Sequence, residues 1–123
     1  MKQIAFAFFA LGAISVTLGM VWGIQMSATH DHTLSAAHAH LNLVGWVTFA
    51  IFGLYYHLVP AAAASSLARI HLALAVLGLV ALVPGIVLAI NETTEILAVV
   101  GSFLTLAAML VFLWTVFRNR VAA

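Results

Sequence analysis

Four long apolar segments, separated by short polar stretches, make up most of this chain. They span residues 4–26, 36–59, 67–90 and 96–117. Each segment is long enough to cross a bilayer as a helix, which takes about 20 apolar residues. Short connections favour neighbouring helices that run in opposite directions. The pattern therefore predicts an all-α integral membrane protein, with a single four-transmembrane-helix antiparallel bundle over residues 1–123.

The composition agrees with this prediction and narrows the chemistry. Of the 123 residues, 66% are hydrophobic and 6% are charged, whereas a soluble domain carries about 25% charged residues. The net charge of +1 argues against nucleic acid as a partner. Because the chain has no cysteine, disulfides, thiolate metal sites and iron–sulfur clusters are excluded. The six histidines are therefore the candidate metal ligands.

The few charged residues predict an orientation in the bilayer. The basic residues lie at the two ends of the chain and near the second connection: Lys2, Arg69, Arg118 and Arg120. The acidic residues lie in the first and third connections: Asp31, Glu92 and Glu95. By the positive-inside rule we expect both termini in the cytoplasm, in a bacterial-type inner membrane. A cleaved signal peptide is the alternative for the first segment, but signal peptides have shorter apolar runs, of about 7–15 residues.

His38 and His40 stand two residues apart at the start of the second segment. A helix turns by about 100° per residue, so the two side chains face opposite sides and reach different neighbours. A histidine inside a bilayer suggests a function, although a neighbouring helix or headgroups can also satisfy it. Asn42 and Gly45 continue the His38 face, and Gly45 admits the close approach of a cofactor or of a packed helix. The His40 face is almost wholly aliphatic, with Val44, Val47, Ile51, Leu54 and Leu58.

Part of the second segment resembles a known haem-binding helix. The residues that carry the likeness are His38-Ala39-His40, Gly45-Trp46, Gly53, Tyr55-Tyr56 and Leu58-Val59-Pro60. They look like the haem-ligating helix of haem–copper oxidase subunit I, most of all that of the C-family oxidases and nitric oxide reductases. The resemblance implies haem b as cofactor and His38 and His40 as ligands of the haem iron. Asn42 and Gly45 are candidate cofactor contacts because of their place on the His38 face.

The chain also departs from that family. The family subunit contains three groups of four helices, and this chain has one such group. It has no adjacent histidine pair for a copper site, so we do not expect a centre that reduces oxygen or nitric oxide. The resemblance implies instead electron transfer with a redox partner, or binding of a gas or a redox signal.

The missing helices suggest a homo-oligomer. Three copies of the chain would reproduce the family's arrangement with true three-fold symmetry, in which different faces of one element meet. His38 of one subunit and His40 of the next would then clamp one haem at each interface. We therefore expect a homotrimer, with a dimer as the alternative.

Other functions remain open. His30, Asp31 and His32 form an outward cluster whose imidazole and carboxylate groups suit copper or zinc, as in a metal-binding or carrier protein. His30 or His32 would otherwise contact haem propionates. A third possibility is a cofactor-free accessory subunit of a respiratory oxidase. Near the other membrane face, we expect His57 and His71 to hold their polar ends at the interface, with a second metal or haem site between them as the alternative.

Overall fold

The computed structural model describes residues 1–121 and consists of helices joined by short turns. The helices are α1 (Gln3–Thr29), α2 (Ser35–Leu58), α3 (Pro60–Ala63), α4 (Ser66–Ile90) and α5 (Ile96–Arg118). Helices α1, α2, α4 and α5 are long and apolar enough to cross a membrane. The predicted four-helix architecture is confirmed. The largest difference in helix bounds is at the end of α1, which reaches Thr29 rather than residue 26.

Helices α1 and α2 pack against each other in opposite directions. Gly12 near the middle of α1 lies against the Trp46 side chain, and Gly53 lies against the backbone of α1 at Ala5 and Phe9. A methyl group on Gly53 would come within 3.0 Å of both the Ala5 carbonyl oxygen and the Phe9 amide nitrogen. Gly53 therefore lets the two backbones touch, as small residues commonly do between membrane helices.

Helices α4 and α5 form the most extensive helix pair. Gly78 lies opposite Thr105 and Gly101 lies opposite Leu82, so this pair is also antiparallel. A Cβ atom on Gly101 would lie 2.5 Å from the Leu82 amide nitrogen, which leaves no room for a side chain. Further contacts between α2 and α4 join the two pairs into one bundle.

Local signals in the turns end and start the helices. His30 adopts the left-handed conformation, with φ at 55°, and ends α1. Pro60 occupies the first turn of α3, where its missing N–H costs no helical hydrogen bond. The Ser65 hydroxyl accepts a hydrogen bond from the Ala68 N–H at the start of α4. These turns are short, and they bring successive long helices side by side.

The aromatic core lies at the end of the bundle where α1 begins and α2 ends. The Phe8 ring makes edge-to-face contacts with Phe49 and Phe52, with centroids 5.4 and 5.3 Å apart, and stacks on Tyr56 at 5.8 Å. All four of these side chains are buried. The outer faces of the four long helices expose large apolar side chains instead. Such a surface is typical of proteins that meet a membrane or a partner.

Candidate functional site

His40 lies on the outside of α2, with an exposed side chain. Its Nδ1 is 2.7 Å from the carbonyl oxygen of Ala36, one turn earlier. Because a carbonyl oxygen only accepts, Nδ1 carries the hydrogen and donates it, and Nε2 of the neutral ring keeps its lone pair. Metal-binding histidines usually have their second nitrogen held in this way by a carbonyl or a carboxylate. Val47, Ile51 and Leu54 continue the same face and are also exposed.

His38 points the other way, between α2 and α1, and is half-buried. Its Nε2 is 2.9 Å from the Gly19 carbonyl oxygen, so Nε2 carries a hydrogen and donates it. The Asn42 side-chain amide lies 3.2 Å from the same nitrogen. That amide accepts from the same N–H when its oxygen, rather than its nitrogen, faces the ring. His38 is therefore tied into the fold through Nε2, whereas the Nε2 of His40 is free.

The two predicted cofactor contacts also lie on the inner side of α2. Asn42 is half-buried against Gly19. Gly45 is buried, and a Cβ atom on it would lie 2.9 Å from the Ser15 side chain and 3.3 Å from that of Leu79. Within a single chain the space beside Gly45 is thus filled by α1 and α4, and this glycine allows the three helices to pack closely.

The middle of α2 departs from regular α-helical geometry. Residues Leu41–Thr48 form a π-helix, and the Thr48 hydroxyl donates to the carbonyl of Leu43, five residues earlier, at 2.9 Å. The π segment begins directly after His40. Such segments are rare and occur frequently at functional sites. The residue pattern alone predicted a regular helix here, because π and α turns bury almost the same apolar positions over so short a span.

The outer connection is held by its own hydrogen bonds. Asp31 Oδ1 accepts from the hydroxyl of Thr33 at 2.5 Å and from its backbone N–H at 3.0 Å. Both hydrogen bonds lower the pKa of Asp31 below its usual range, and the bond from the Thr33 hydroxyl has the larger effect. Among residues 1–121, no three histidine, aspartate or glutamate side chains come together as a metal site. The predicted role of His30 and His32 in binding metal or propionate stays a prediction.

His57 and His71 occupy different environments. His57 is exposed at the end of α2, whereas His71 is fully buried in the second turn of α4. His71 bonds to Tyr56 and not across the turn to His57. The prediction that His71 holds its polar end at the interface is therefore wrong, because aromatic side chains from the other long helices cover its ring.

The His71 ring lies in a box of aromatic side chains from α1, α2 and α5. The ring centroids of Phe52, Phe8 and Phe112 are 4.4, 4.9 and 5.5 Å from that of His71. Phe52 meets the imidazole edge to face, and Phe112 stacks on it. All four long helices thus converge on one buried imidazole, a feature that the sequence analysis missed.

One hydrogen bond joins this imidazole to the Tyr56 hydroxyl. His71 Nδ1 is 2.9 Å from the Tyr56 hydroxyl, beside which the Thr115 side chain lies. The Thr115 hydroxyl donates to the Val111 carbonyl oxygen at 2.8 Å. The tautomer of the imidazole decides whether Tyr56 or His71 donates in their shared hydrogen bond. His71 Nε2 is buried and has no hydrogen-bond partner among the described residues.

Comparison of the chain with protein-family models, with curated proteins and with solved structures finds no match. The likeness to the haem-ligating helix therefore depends on residues 38–60 alone. The geometry of these residues separates the two histidines of the motif. His40 presents a free nitrogen to the outside of the bundle, and His38 uses the equivalent nitrogen inside it.

Proposed function

We propose that this protein binds haem b at a membrane-embedded interface between copies of the chain, with His40 as an axial ligand of the iron. The proposed role is electron transfer, or binding of a gas or redox signal, rather than reduction of oxygen. The observation that carries the proposal is the hydrogen bond of 2.7 Å from His40 Nδ1 to the Ala36 carbonyl oxygen. It fixes the tautomer in which Nε2 is an exposed base.

The surroundings of His40 support a flat apolar cofactor. The exposed side chains of Val47, Ile51 and Leu54 on the same face are aliphatic, so they favour contact with a macrocycle and exclude water from it. Imidazole is the common axial ligand of haem iron, and the iron supplies one-electron redox chemistry. The Ala36 carbonyl holds the imidazole in place and increases its basicity.

A second copy of the chain is part of this proposal, because one exposed histidine supplies only one axial ligand. His38 of a neighbouring subunit is the second ligand that the resemblance implies, in a homotrimer or alternatively a dimer. For that role its Nε2 has to give up its hydrogen bond to the Gly19 carbonyl oxygen before it can bind iron. Ligation by two histidines favours electron transfer, and ligation by His40 alone leaves a position open for a gas.

Visible spectra of the detergent-purified protein, oxidised and then reduced with dithionite, test the proposal. We expect the sharp reduced bands of a six-coordinate haem b, and their loss in the His40→Ala protein. If His38 is the second ligand, His38→Ala gives a five-coordinate spectrum that responds to carbon monoxide. His57→Ala is the control, because this exposed histidine lies at the other end of α2. A protein that stays colourless after haem is supplied would refute the proposal.

The proposed orientation places His40 near the outer face and both termini in the cytoplasm. It is supported by the distribution of lysine and arginine. Because the chain has no native cysteine, single cysteines introduced as Ser35→Cys and Ser66→Cys report each side separately. In intact cells we expect a membrane-impermeant maleimide to label the cysteine at position 35 and not that at position 66. The reverse labelling would invert the topology.

A further inference from the structure

A cavity of about 640 Å³ lies at the end of the bundle where α1 and α4 begin. Lys2, Arg69, Pro60 and Ala63 are among the residues that line it. The cavity therefore combines two cationic side chains with apolar ones. The proposed haem site lies near the opposite end of α2, so this cavity is independent of it.

The three acidic side chains of the chain lie far from the two cations. Asp31 follows the far end of α1, about 40 Å from Lys2 at 1.5 Å per residue. Glu92 follows the far end of α4, about 30 Å from Arg69 by the same measure. Glu95, the third acidic residue of the chain, lies beside Glu92 in the same connection. The positive charges in the cavity are therefore uncompensated within the described chain, and an anion would compensate them.

The chemistry of the lining favours a phosphodiester anion. The planar guanidinium of Arg69 matches two phosphate oxygens at once, and the Lys2 ammonium adds a mobile point charge. The cavity lies at one end of helices whose sides expose apolar residues, which is the level of lipid headgroups when the bundle spans a bilayer. The apolar part of the lining suits the glycerol and upper acyl region of a lipid better than it suits free phosphate. Basic pockets between membrane helices bind anionic headgroups elsewhere.

We propose that this cavity binds the headgroup of an anionic phospholipid between Lys2 and Arg69. Native mass spectrometry of the full chain in a mild detergent, titrated with phosphatidylglycerol or phosphatidylcholine, tests the proposal. We expect one tight phosphatidylglycerol adduct. Arg69→Gln and Lys2→Gln should each weaken it by about fivefold, which corresponds to about 1 kcal/mol for each cation near an anionic headgroup.

The matched control is Arg118→Gln, which removes the same charge at the same end of the bundle but outside the cavity. We expect it to weaken phosphatidylglycerol binding by less than about twofold. An equal loss of phosphatidylglycerol affinity in all three variants would show general charge attraction and would refute a specific site in this cavity. Equal affinity for phosphatidylcholine would refute the preference for an anionic headgroup. Displacement of the lipid by millimolar inorganic phosphate would show that the site binds free phosphate rather than a lipid. Lys2→Gln keeps the test valid if Arg69→Gln does not fold, because residue 2 precedes α1.

Discussion

The buried hydrogen bond between Tyr56 and His71 leads to a prediction about the free energy of unfolding, whose magnitude follows from the structure. Removing the hydroxyl in Tyr56→Phe takes the only hydrogen-bond partner away from His71 Nδ1, and His71 Nε2 has no partner already. Both side chains are within 1% of complete burial. Water therefore cannot replace the lost hydroxyl, and the buried imidazole Nδ1 is left without a hydrogen-bond partner.

The expected magnitude follows from two opposing considerations. Leaving a buried donor or acceptor unsatisfied costs about 1–3 kcal/mol in soluble proteins. Hydrogen bonds between membrane helices average only about 0.6 kcal/mol, with a maximum of about 1.7, because the unfolded state in the membrane also finds partners. Since this pair is fully buried, we expect Tyr56→Phe to lower the free energy of unfolding by about 1.5 kcal/mol, near the upper end of the membrane range.

The reciprocal variant should cost less. In His71→Leu the Tyr56 hydroxyl still lies beside the Thr115 side chain, and the unpartnered Nε2 is removed as well. We therefore expect a change within about 0.5 kcal/mol, because replacing an unsatisfied polar group by an apolar one of similar shape is nearly neutral. The double variant should resemble His71→Leu, which gives a coupling energy of about 1.5 kcal/mol, equal to the cost expected for Tyr56→Phe alone.

Unfolding in mixed micelles, titrated with dodecyl sulfate and followed by far-ultraviolet circular dichroism, measures all four corners of this cycle. Tyr55→Phe is the matched control, because the neighbouring ring is only half-buried, and it should change stability by less than about 0.5 kcal/mol. A Tyr56→Phe protein as stable as the unmodified chain, with no coupling to His71, would refute the hydrogen-bond argument.

Three further predictions concern packing and pH. Gly101→Ala gains about 1 kcal/mol of helix propensity but forces a Cβ to within 2.5 Å of the Leu82 backbone, at a cost of about 1–3 kcal/mol. We therefore expect net destabilisation in the same micelle titration. A more stable variant would contradict the close contact. Thr105 has a buried hydroxyl without a hydrogen-bond partner, so Thr105→Val should raise the free energy of unfolding by roughly 0.5–1 kcal/mol. A lower free energy of unfolding would indicate that the hydroxyl has a hydrogen-bond partner. The hydrogen bonds from Thr33 lower the pKa of Asp31 from 3.8, so its contribution to stability is complete above that value and is lost as the pH falls through the lowered folded-state pKa. The difference in melting temperature between the unmodified chain and Asp31→Ala should therefore shrink below about pH 4, and a difference that grows on acidification would reverse the sign of this argument.

The four long helices could be predicted from sequence because they depend on the length of local apolar runs, but the inward face of α2 was not predicted. The face that begins with His38 and continues through Gly45, Phe49 and Phe52 is the buried one. The face of His40 is exposed, with only Val44 half-buried. The composition of the two faces was the available signal, since the outward face carries aliphatic side chains and the inward face carries glycine and aromatic residues that pack against α1.

The position of His71 depends on contacts between distant parts of the chain, and local periodicity does not contain them. A signal was nevertheless present, because Ala75, Gly78 and Gly85 follow His71 at helical spacing and all four residues are buried. A stripe of small residues marks the face of a membrane helix that packs against its neighbours. His71 lies at the end of that stripe, so the stripe indicates a core position rather than an interfacial one.

The two histidines of α2 show how the fold can give identical side chains different chemistry. Both rings donate to a backbone carbonyl, but His40 does so through Nδ1 and His38 through Nε2. A ligand that approaches from outside the bundle therefore meets a free Nε2 only at His40. For His38 to bind iron, the Gly19 carbonyl must lose its donor, at a cost of about 1–3 kcal/mol. It follows that ligation by His38 is coupled to a local separation of α1 from α2, whereas ligation by His40 requires no rearrangement within the chain.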